Sequence, residues 1–425
     1  MPNCEKYDIN ILISYFNIYM PNCEKFPTLE LTCAINRPTS NFCAPNSISS
    51  TGNLIYIVYN INATESNKLS AELFENNKGK LIVINKINSD IQYPYIDGGE
   101  ASTCFQRFSL LDNNGINTAR LRLYDKNLNL LTTKLFKDYY GPGYSFSGGS
   151  FSRNGEYIAV TYVYDTNIGK NYQKSVVRIL RTDNLTEVAS YKYDGNTSNV
   201  AKFFTLYKDE KKYVYLILSS IGGKYDATNP ISKSPAILKI LELKISLSIL
   251  DLVYSVDLPE SFKYDFVKTS KKTIYILVGT NRAEVNEELI SQNKQHRSFI
   301  DGDGDEYRVY KFKNNNLKGI CKKNYNVNIE AKINISNKLL SLIKSTNYGN
   351  CDENCSILEF VKVDDSFCPK CCSSEAIFLP NKPIVNFSEN GKWMIVTGAK
   401  SDNTFLNPDS FKNVLLYRIC NRELN

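Results

Sequence analysis

Two stretches of the chain, FSRNGEYIAV at residues 151–160 and FSENGKWMIV at residues 387–396, follow one template. The template reads Phe-Ser-x-Asn-Gly-x, followed by an aromatic residue, an apolar residue, any residue and Val. The Asn-Gly pairs at 154–155 and 390–391 suit tight turns, because both residue types tolerate positive φ. Alternating apolar residues after such a turn indicate a β-strand. The template therefore predicts the same turn and strand at two distant places.

Further copies of this turn and strand recur between and before the two stretches, at a period of roughly 55 to 60 residues that is typical of repeat folds. The predicted slots begin near Leu54, Phe105, Tyr157, Tyr213, Thr273, Ile333 and Trp393. Those near Phe105 and Ile333 lack the Asn-Gly turn. Further strands follow each slot after tight polar turns, as in residues 121–136 and 176–193. A unit of about four strands repeated radially is the pattern of a β-propeller blade.

The segment FSRNGEYIAVTYVYD at residues 151–165, with SVVRILRTDNLTEVASYKY at 175–193, resembles the blades of WD40-like propellers. In that family a Phe-Ser-x-Asp-Gly turn joins the first strand of a blade to the second, and here Asn replaces the Asp. The resemblance is architectural and covers most of the chain, without the Gly-His and Trp-Asp signatures. It implies an all-β fold, a single propeller of seven blades with about four antiparallel strands each. A pair of β-sandwich domains is the alternative.

The two ends of the chain predict how the ring closes within one domain spanning residues 1–425. The last unit offers three strands, in PIVNFS, KWMIVTGA and NVLLYRIC. We expect the N-terminal segment 1–28, through YDINILISYF at residues 7–16, to add the missing outer strand to this last blade and so remove an open sheet edge. Residues 345–376 are expected to form a Cys-rich insertion in the sixth blade.

Charge and composition exclude several functional classes. The net charge of +7 arises from 51 basic and 44 acidic residues scattered along the chain, without a dense basic block, which disfavours nucleic-acid binding. No apolar run reaches the ~20 residues of a transmembrane helix. The N-terminus lacks the basic region and cleavage site of a conventional signal peptide. Abundant Asn, Lys, Ile and Tyr resemble the composition of proteins from AT-rich large DNA viruses.

Long polar connections are expected between the second and third strands of five units, at residues 62–79, 165–174, 222–234, 281–306 and 400–412. Alternate connections of an antiparallel sheet emerge on the same side. The five connections should therefore gather on one rim of the ring, where binding residues on a scaffold are usually found. Loops lengthened by drift, without a role, are the alternative.

The stretch DGDGDE at residues 301–306 is a candidate calcium site, because Asp301, Asp303 and Asp305 can surround a hard cation with oxygen ligands. The match to a calcium loop is imperfect, since Glu306 takes the place of the turn glycine and Phe312 that of the bidentate Glu. A solvated acidic turn is the alternative. His296 is the single histidine of the chain, which disfavours His-rich metal centres and triad chemistry.

The 12 cysteines concentrate towards the two ends of the chain. Cys351, Cys355, Cys368 and Cys371 follow a C-x3-C and C-x2-C pattern close to that of a zinc ribbon. Disulfides in a surface or particle protein are the favoured interpretation, because the knuckle is irregular and Cys372 adjoins the set. Free buried thiols in a reducing compartment are a third interpretation. No cofactor is required by the pattern, and Zn²⁺ and Ca²⁺ are the alternatives.

Together these features favour a non-enzymatic structural or protein-interaction module that binds protein partners, or further copies of itself, through the long-loop rim. The composition and cysteine content suggest a virion or another outer layer, with a cytoplasmic location as the alternative. An enzyme of the propeller hydrolase or lactonase kind, with a metal in the central channel, is the competing hypothesis. No residue pattern selects a catalytic pair.

Overall fold

The computed structural model describes nineteen segments of the chain. They comprise residues 28–36, 40–63, 66–88, 95–114, 117–140, 146–167, 172–194, 202–208, 211–220, 236–258, 262–270, 273–280, 306–324, 329–334, 339–345, 355–373, 377–380, 384–397 and 413–420. Apart from one 3₁₀ turn at Ile245–Leu247, their regular structure is all β. None of the described segments forms a helix with the length and apolarity needed to cross a membrane.

The strands form seven antiparallel sheets, the blades of a single β-propeller. Strand β1 (Thr28–Asn36) is the first of the described strands. Blade 1 has β2 (Ser40–Ile48), β3 (Leu54–Ala63), β4 (Ser66–Asn77) and β5 (Lys80–Asn88). Blade 2 has β6 (Tyr95–Gly98), β7 (Arg107–Asn113), β8 (Ala119–Asp125) and β9 (Leu130–Phe136). Blade 3 has β10 (Phe146–Phe151), β11 (Tyr157–Asn167), β12 (Tyr172–Arg181) and β13 (Glu187–Asp194).

Blades 4 to 7 continue the same order. Blade 4 has β14 (Lys202–Lys208), β15 (Lys211–Ser220), β16 (Ala236–Lys244) and β17 (Ile249–Leu258). Blade 5 has β18 (Phe262–Ser270), β19 (Thr273–Thr280), β20 (Glu306–Lys313) and β21 (Asn316–Asn324). Blade 6 has β22 (Ile329–Asn334), β23 (Leu339–Ser345), β24 (Cys355–Val363), β25 (Pro369–Ser373) and β26 (Ile377–Pro380). Blade 7 has β27 (Ile384–Phe387), β28 (Trp393–Thr397), β29 (Asn413–Cys420) and β1.

Two rims follow from this antiparallel order. The upper rim, as we define it, carries the connections from second to third strands and from one blade to the next. The lower rim carries the turns from first to second and from third to fourth strands. Three of the predicted long connections do link second and third strands, at residues 221–235, 281–305 and 398–412. The predictions at 62–79 and 165–174 were wrong, because most of those residues lie in the paired strands of blades 1 and 3.

Buried side chains fill the interfaces between blades. Val177 and Ile179 of blade 3, for example, pack with Leu216 and Leu218 of blade 4. Similar clusters join blades 1 and 2, 2 and 3, 4 and 5, 6 and 7, and 7 and 1. In blade 2 the second and third strands are covered on both faces and therefore read as continuous apolar runs, whereas most of the fourth strand is exposed. The propeller is thus a ring in which neighbouring sheets share their cores.

Blade 7 obtains its outer strand from near the start of the chain. Strand β1 pairs antiparallel with β29 from Thr28 opposite Cys420 to Asn36 opposite Asn413. The segment predicted for this role was residues 7–16, which lies outside the described residues, and the predicted boundary 1–28 reaches only the first residue of β1. An N-terminal strand therefore does pair in the last blade, but it is a later one than the sequence pattern indicated.

Blade 6 departs from the predicted pattern in two ways. Its slot was placed at Ile333, but Ile333 lies in the first strand β22, and the second strand begins at Leu339. The Asn-Gly pair of the slots at Tyr157 and Trp393 is absent here, and apolar alternation alone does not distinguish the first strand of a blade from the second. Much of the predicted insertion at 345–376 forms strands of the blade itself, with β25 and β26 both paired to β24.

The turn that defines the template occurs in four blades with the same hydrogen bonds. The serine that opens the turn accepts a hydrogen bond at Oγ from the backbone N–H five residues later, at 2.9–3.0 Å. The N–H of this serine donates to the carbonyl of the residue five positions later. Its carbonyl accepts from the N–H of the residue three positions later. The four serines are Ser49, Ser102, Ser152 and Ser388. Blade 2 therefore has the same turn, although its sequence lacks Asn-Gly.

The fourth residue of each such turn has positive φ. Glycine takes this position at Gly52, Gly155 and Gly391, with φ of 70–78°, whereas blade 2 has Phe105 there with φ of 55°. Phe105 is buried and lies edge-on to Phe108, with 5.7 Å between ring centroids. Burial of the ring offsets the backbone strain of a non-glycine residue in the left-handed region.

Matched glycine substitutions test this turn. Gly155→Ala should cost about 1–2 kcal/mol from the left-handed backbone alone, because its nearest contact, with Ser102 Cβ at 3.7 Å, is an ordinary one. Gly52→Ala should cost a further ~1–3 kcal/mol, since its Cβ would lie 2.2 Å from Trp393 Cδ1. Denaturant unfolding followed by the emission of Trp393, the single tryptophan, measures both. Equal losses for the two variants would contradict the packing of blade 1 on blade 7.

Buried tyrosines make the fold sensitive to high pH. Burial raises the pKa of Tyr215 and Tyr417 to about 12 from the ordinary 10.0, and it raises the pKa of Tyr56, Tyr162 and Tyr193 further. These phenols contribute stability that is fully present below pH 10 and is lost as the pH rises above it, because the unfolded chain then ionises more readily. The melting temperature should therefore fall above pH 10. Absorbance titration at 295 nm should show fewer phenols ionising at pH 10 in native protein than in denaturant, and identical titrations would contradict this.

Candidate functional site on the upper rim

The upper rim is the candidate functional site, and its described part begins at blade 2. Here residues 114–118 connect β7 to β8, with Asn114 closing the turn. The Asn114 Oδ1 accepts hydrogen bonds from the N–H of Asn117 at 3.2 Å and of Thr118 at 3.0 Å. The Asn114 N–H donates to the Thr118 carbonyl at 3.0 Å. Hydrogen bonds therefore hold together the two ends of this five-residue connection.

A buried ion cluster lies beneath this turn. Asp112 is opposite Arg120 across the β7–β8 pair and is fully buried. Arg120 Nε and Nη2 each lie 2.9 Å from a different carboxylate oxygen of Asp112, and Arg122 Nη2 lies 2.6 Å from Oδ2. Because both of its oxygens are engaged by guanidinium groups, Asp112 acts as a structural counter-ion and not as a free general base.

A second polar cluster fixes the link between blades 2 and 3. The Tyr162 hydroxyl donates to Asp138 Oδ1 at 2.9 Å, and Arg178 forms ion pairs with Asp138 and Glu187. The Arg178 guanidinium lies over the Tyr162 ring, 5.6 Å from its centroid. Burial, and then the charge of Asp138, raise the pKa of the Tyr162 phenol, so that it remains a hydrogen-bond donor at neutral pH. Tyr140 N–H also donates to Val163 O at 2.9 Å, which secures the link.

The rest of the rim carries the three long connections. Residues 221–235 leave from the end of β15, 281–305 from the end of β19 and 398–412 from the end of β28. They arise from blades 4, 5 and 7, so the long connections are spread over half of the ring or more. In blades 2 and 3 only five and four residues separate the second strand from the third.

The predicted calcium ligands Asp301, Asp303 and Asp305, together with His296, lie outside the described residues. Glu306 is the first residue of β20. Within the segments that the structure describes, no group of three or more His, Cys, Asp or Glu side chains is arranged to hold a metal ion. The calcium site therefore stays a prediction.

The predicted cysteine set is divided. Cys368 forms a disulfide with Cys321, which was not among the four predicted ligands. Their Cα atoms are 6.1 Å apart, and the bond joins β21 of blade 5 to the β24–β25 turn of blade 6. Cys351 lies outside the described residues, and Cys355 and Cys371 lie in β24 and β25. A zinc ribbon of the predicted four would therefore lack Cys368.

Two features of the structure were missed from the sequence, although each has a signal. The disulfide partners are separated by 47 residues, close to one blade repeat, so they occupy neighbouring blades. The strand ARLRLYD places Arg120 and Arg122 two residues apart on one face of an otherwise apolar strand, which is typical of a buried charge cluster. Correct placement of the sixth slot would have indicated the disulfide. The position of Asp112 opposite Arg120 would have indicated the charge cluster.

Comparisons with known proteins concern the fold. No protein-family model matches the sequence, and no curated protein matches it. Among solved structures, the β-propeller domain of the Trilobed protease from Pyrococcus furiosus has a TM-score of 0.46 and 9% identity, over 89% of this chain and 94% of that one. The WD40 domain of SCAP from fission yeast has a TM-score of 0.42 and 8% identity, over 93% and 98%.

A prolyl endopeptidase structure has a TM-score of 0.45 and 11% identity over 92% of this chain. The present chain spans about half of that structure, 51% of its length. All three are similar to this chain in architecture at low identity. The assignment as a seven-bladed propeller rests on the packed sheets themselves.

Loss of the Asp112 carboxylate should destabilise the fold strongly. Asp112→Asn removes the negative charge that two buried guanidinium groups contact, which costs about 3–5 kcal/mol. Glu187→Gln is the matched control, because the Arg178–Glu187 pair is partly exposed and should be worth less than about 1 kcal/mol. Denaturant unfolding of both variants measures the difference. Similar small losses would show that the buried cluster does not support the upper rim.

Removal of the inter-blade disulfide should lower stability without changing the fold. Cys321→Ser opens the covalent link between blades 5 and 6 and should cost about 2–4 kcal/mol under oxidising conditions. Cys104→Ser is the control, since Cys104 is an exposed free thiol. Under reducing conditions Cys321→Ser and wild type should melt alike. A wild-type mass map without a Cys321–Cys368 peptide would contradict the bond.

Proposed function

We propose that this protein is a non-enzymatic interaction module that binds protein partners, or further copies of itself, through the upper rim. One observation carries the proposal: β15, β19 and β28 end at that rim, and each is followed in the sequence by a long connection, residues 221–235, 281–305 and 398–412. The same propeller architecture serves both interaction domains and enzymes, so the fold does not select the function. Long connections on a packed scaffold are where binding residues concentrate.

The sequences of these connections suit a protein interface. They combine Asn, Ser and charged residues with large apolar or aromatic residues, among them Tyr225, Phe299, Phe405 and Phe411. Aromatic anchors within a polar surround are typical of protein–protein contacts. An enzyme would instead need catalytic side chains directed at one substrate.

The outer strands support a role in assembly. In the part of the chain that the structure describes, the exposed large hydrophobic residues lie in the outer strands of blades 1, 2 and 4 or beside them. They are Ile82, Val83, Ile84, Leu130, Leu131, Leu135, Ile245, Leu247, Ile249 and Leu252. Exposed aliphatic groups of this kind favour contact with other proteins.

We further propose that the protein functions in an outer layer, such as a virion surface. The composition resembles proteins of AT-rich large DNA viruses, and the Cys321–Cys368 disulfide supports an oxidising final environment. A protein that remained in a reducing cytoplasm would carry these two residues as thiols. The redox state of this pair in protein isolated from its source therefore tests the location separately from the interaction.

Site-directed photo-crosslinking tests the interaction face. Benzoylphenylalanine placed at Tyr225, Phe299 or Phe405 should give protein adducts in the native source after irradiation, identified by mass spectrometry. The same group at Glu156 or Lys392, exposed positions of the lower rim, is the control. Adducts at the control positions alone would contradict the proposal. Metal-dependent turnover of ester or lactone substrates by the purified chain would favour the hydrolase hypothesis instead.

A further inference from the structure

The template turn of blade 7 makes a contact with its neighbour that depends on Asn390. The Asn390 Oδ1 accepts hydrogen bonds from the Ser388 hydroxyl at 2.7 Å and from the Lys392 N–H at 3.0 Å. Its amide Nδ2 donates to the Thr51 carbonyl of blade 1 at 2.9 Å. The oxygen of this side chain therefore holds its own turn, and the nitrogen holds the next blade.

Asn154 occupies the same position in blade 3 and repeats only the first half of this arrangement. Its Oδ1 accepts from the Ser152 hydroxyl at 2.8 Å and from the Glu156 N–H at 3.4 Å. The next blade differs, because Lys208 pairs directly with Lys211 across a two-residue hairpin. Blade 4 thus has two residues between its first and second strands, whereas blade 1 has the five residues 49–53. Among the described residues, the Asn154 Nδ2 has no hydrogen-bond partner.

A cavity of about 290 Å³ occupies the space next to Asn154 on the lower rim. Arg153 reaches it from blade 3 and Lys212 from blade 4, and the Thr205 side chain also lines it. Tyr157 and Val214 supply its apolar walls. Among the described residues, no carboxylate lines the cavity; Glu156 lies in the adjacent turn, and Asp209 and Glu210 stand between β14 and β15 in the sequence.

This lining is suited to a negatively charged oxygen ligand. A guanidinium presents paired N–H donors that match carboxylate and phosphate oxygens, and an ammonium adds a second positive charge. The Asn154 amide offers a further N–H and Thr205 a hydroxyl. The volume is at the lower end of the range for small-molecule sites, so the cavity suits a small ligand with one charged head group.

We propose that the cavity between blades 3 and 4 binds the oxyanion head group of a small molecule, through Arg153, Asn154 and Lys212. The site lies on the rim opposite to the proposed protein-interaction face. Binding there depends on a difference between two copies of the same turn. The Asn390 amide joins blade 7 to blade 1, whereas the equivalent Asn154 amide of blade 3 is directed to a ligand. The proposal is independent of the proposed function, and each can fail without the other.

Titration calorimetry of the full chain with inorganic phosphate, and separately with succinate, tests the site. Saturable binding to one site with a Kd on the order of 1 mM or tighter is expected for at least one of the two anions. The anion that binds more tightly identifies the head group as phosphate or carboxylate. Arg153→Gln and Lys212→Gln should each weaken binding at least about tenfold, since each removes a charge-assisted hydrogen bond. Absence of saturable binding of both anions to wild type would overturn the proposal.

Lys392→Gln is the matched charge control. Lys392 is an exposed basic residue of the equivalent turn in blade 7, where the Asn390 amide is already engaged. Its substitution should leave the Kd unchanged. An equal loss of affinity in Lys392→Gln and Arg153→Gln would show general attraction of anions to a basic protein, and would also overturn the site.

A pair of Asn→Asp substitutions separates binding from folding. Asn154→Asp keeps the acceptor oxygen of the turn but replaces the amide by a carboxylate, so it should abolish anion binding with little change in melting temperature. Asn390→Asp should lower the melting temperature, because the new oxygen faces the Thr51 carbonyl, and should leave anion binding intact at temperatures where the variant is folded. Unchanged anion affinity in folded Asn154→Asp would contradict the assignment of Asn154.

Discussion

The pairing of β1 with β29 is the contact on which the rest of the propeller depends. It joins residues 28–36 to residues 413–420 and completes blade 7 with a fourth strand. Cys33 and Ile35 of β1 are buried in one cluster with Ile55 and Phe74 of blade 1, so the same strand also seals the interface between the first and last blades. Without it, β29 would be an open edge and two blades would lose part of their shared core.

One turn, reused around the ring, explains both the contacts between blades and the places where they are missing. Its serine satisfies the same backbone donors in blades 1, 2, 3 and 7. The blades differ in the turn that the neighbouring blade presents to this one. Where blade 1 offers a wide turn to blade 7, the asparagine amide bridges the two, and where blade 4 offers a two-residue hairpin to blade 3, a polar cavity results. Small differences in turn length thus distinguish otherwise equivalent blades.

Much of the fold could be predicted from the sequence, because the Ser-x-Asn-Gly turn and apolar alternation act locally. Five of the seven predicted slots lie in second strands, and the slot at Phe105 lies two residues before one. The slot at Ile333 was misplaced because its apolar alternation belongs to a first strand. Phe105 shows why a turn cannot always be predicted from its own residues. Burial of its ring, which depends on tertiary packing, permits a positive φ that the local sequence does not indicate. The Cys321–Cys368 bond depends on which blades are adjacent, the Asp112 cluster on the pairing of β7 with β8, and the cavity on the short connection between β14 and β15, so none follows from local pattern alone.

Engineered cross-strand disulfide formation between β1 and β29 tests the closure of the ring most directly. Thr28 lies opposite Cys420, and directly opposed residues have Cβ atoms close enough for a disulfide. Thr28→Cys should therefore form a bond with the native Cys420 on mild oxidation, identified by peptide mapping. Leu29→Cys, one residue along and on the other face of the strand, should not. Equal bonding of both variants, or of neither, would contradict the pairing that completes the propeller.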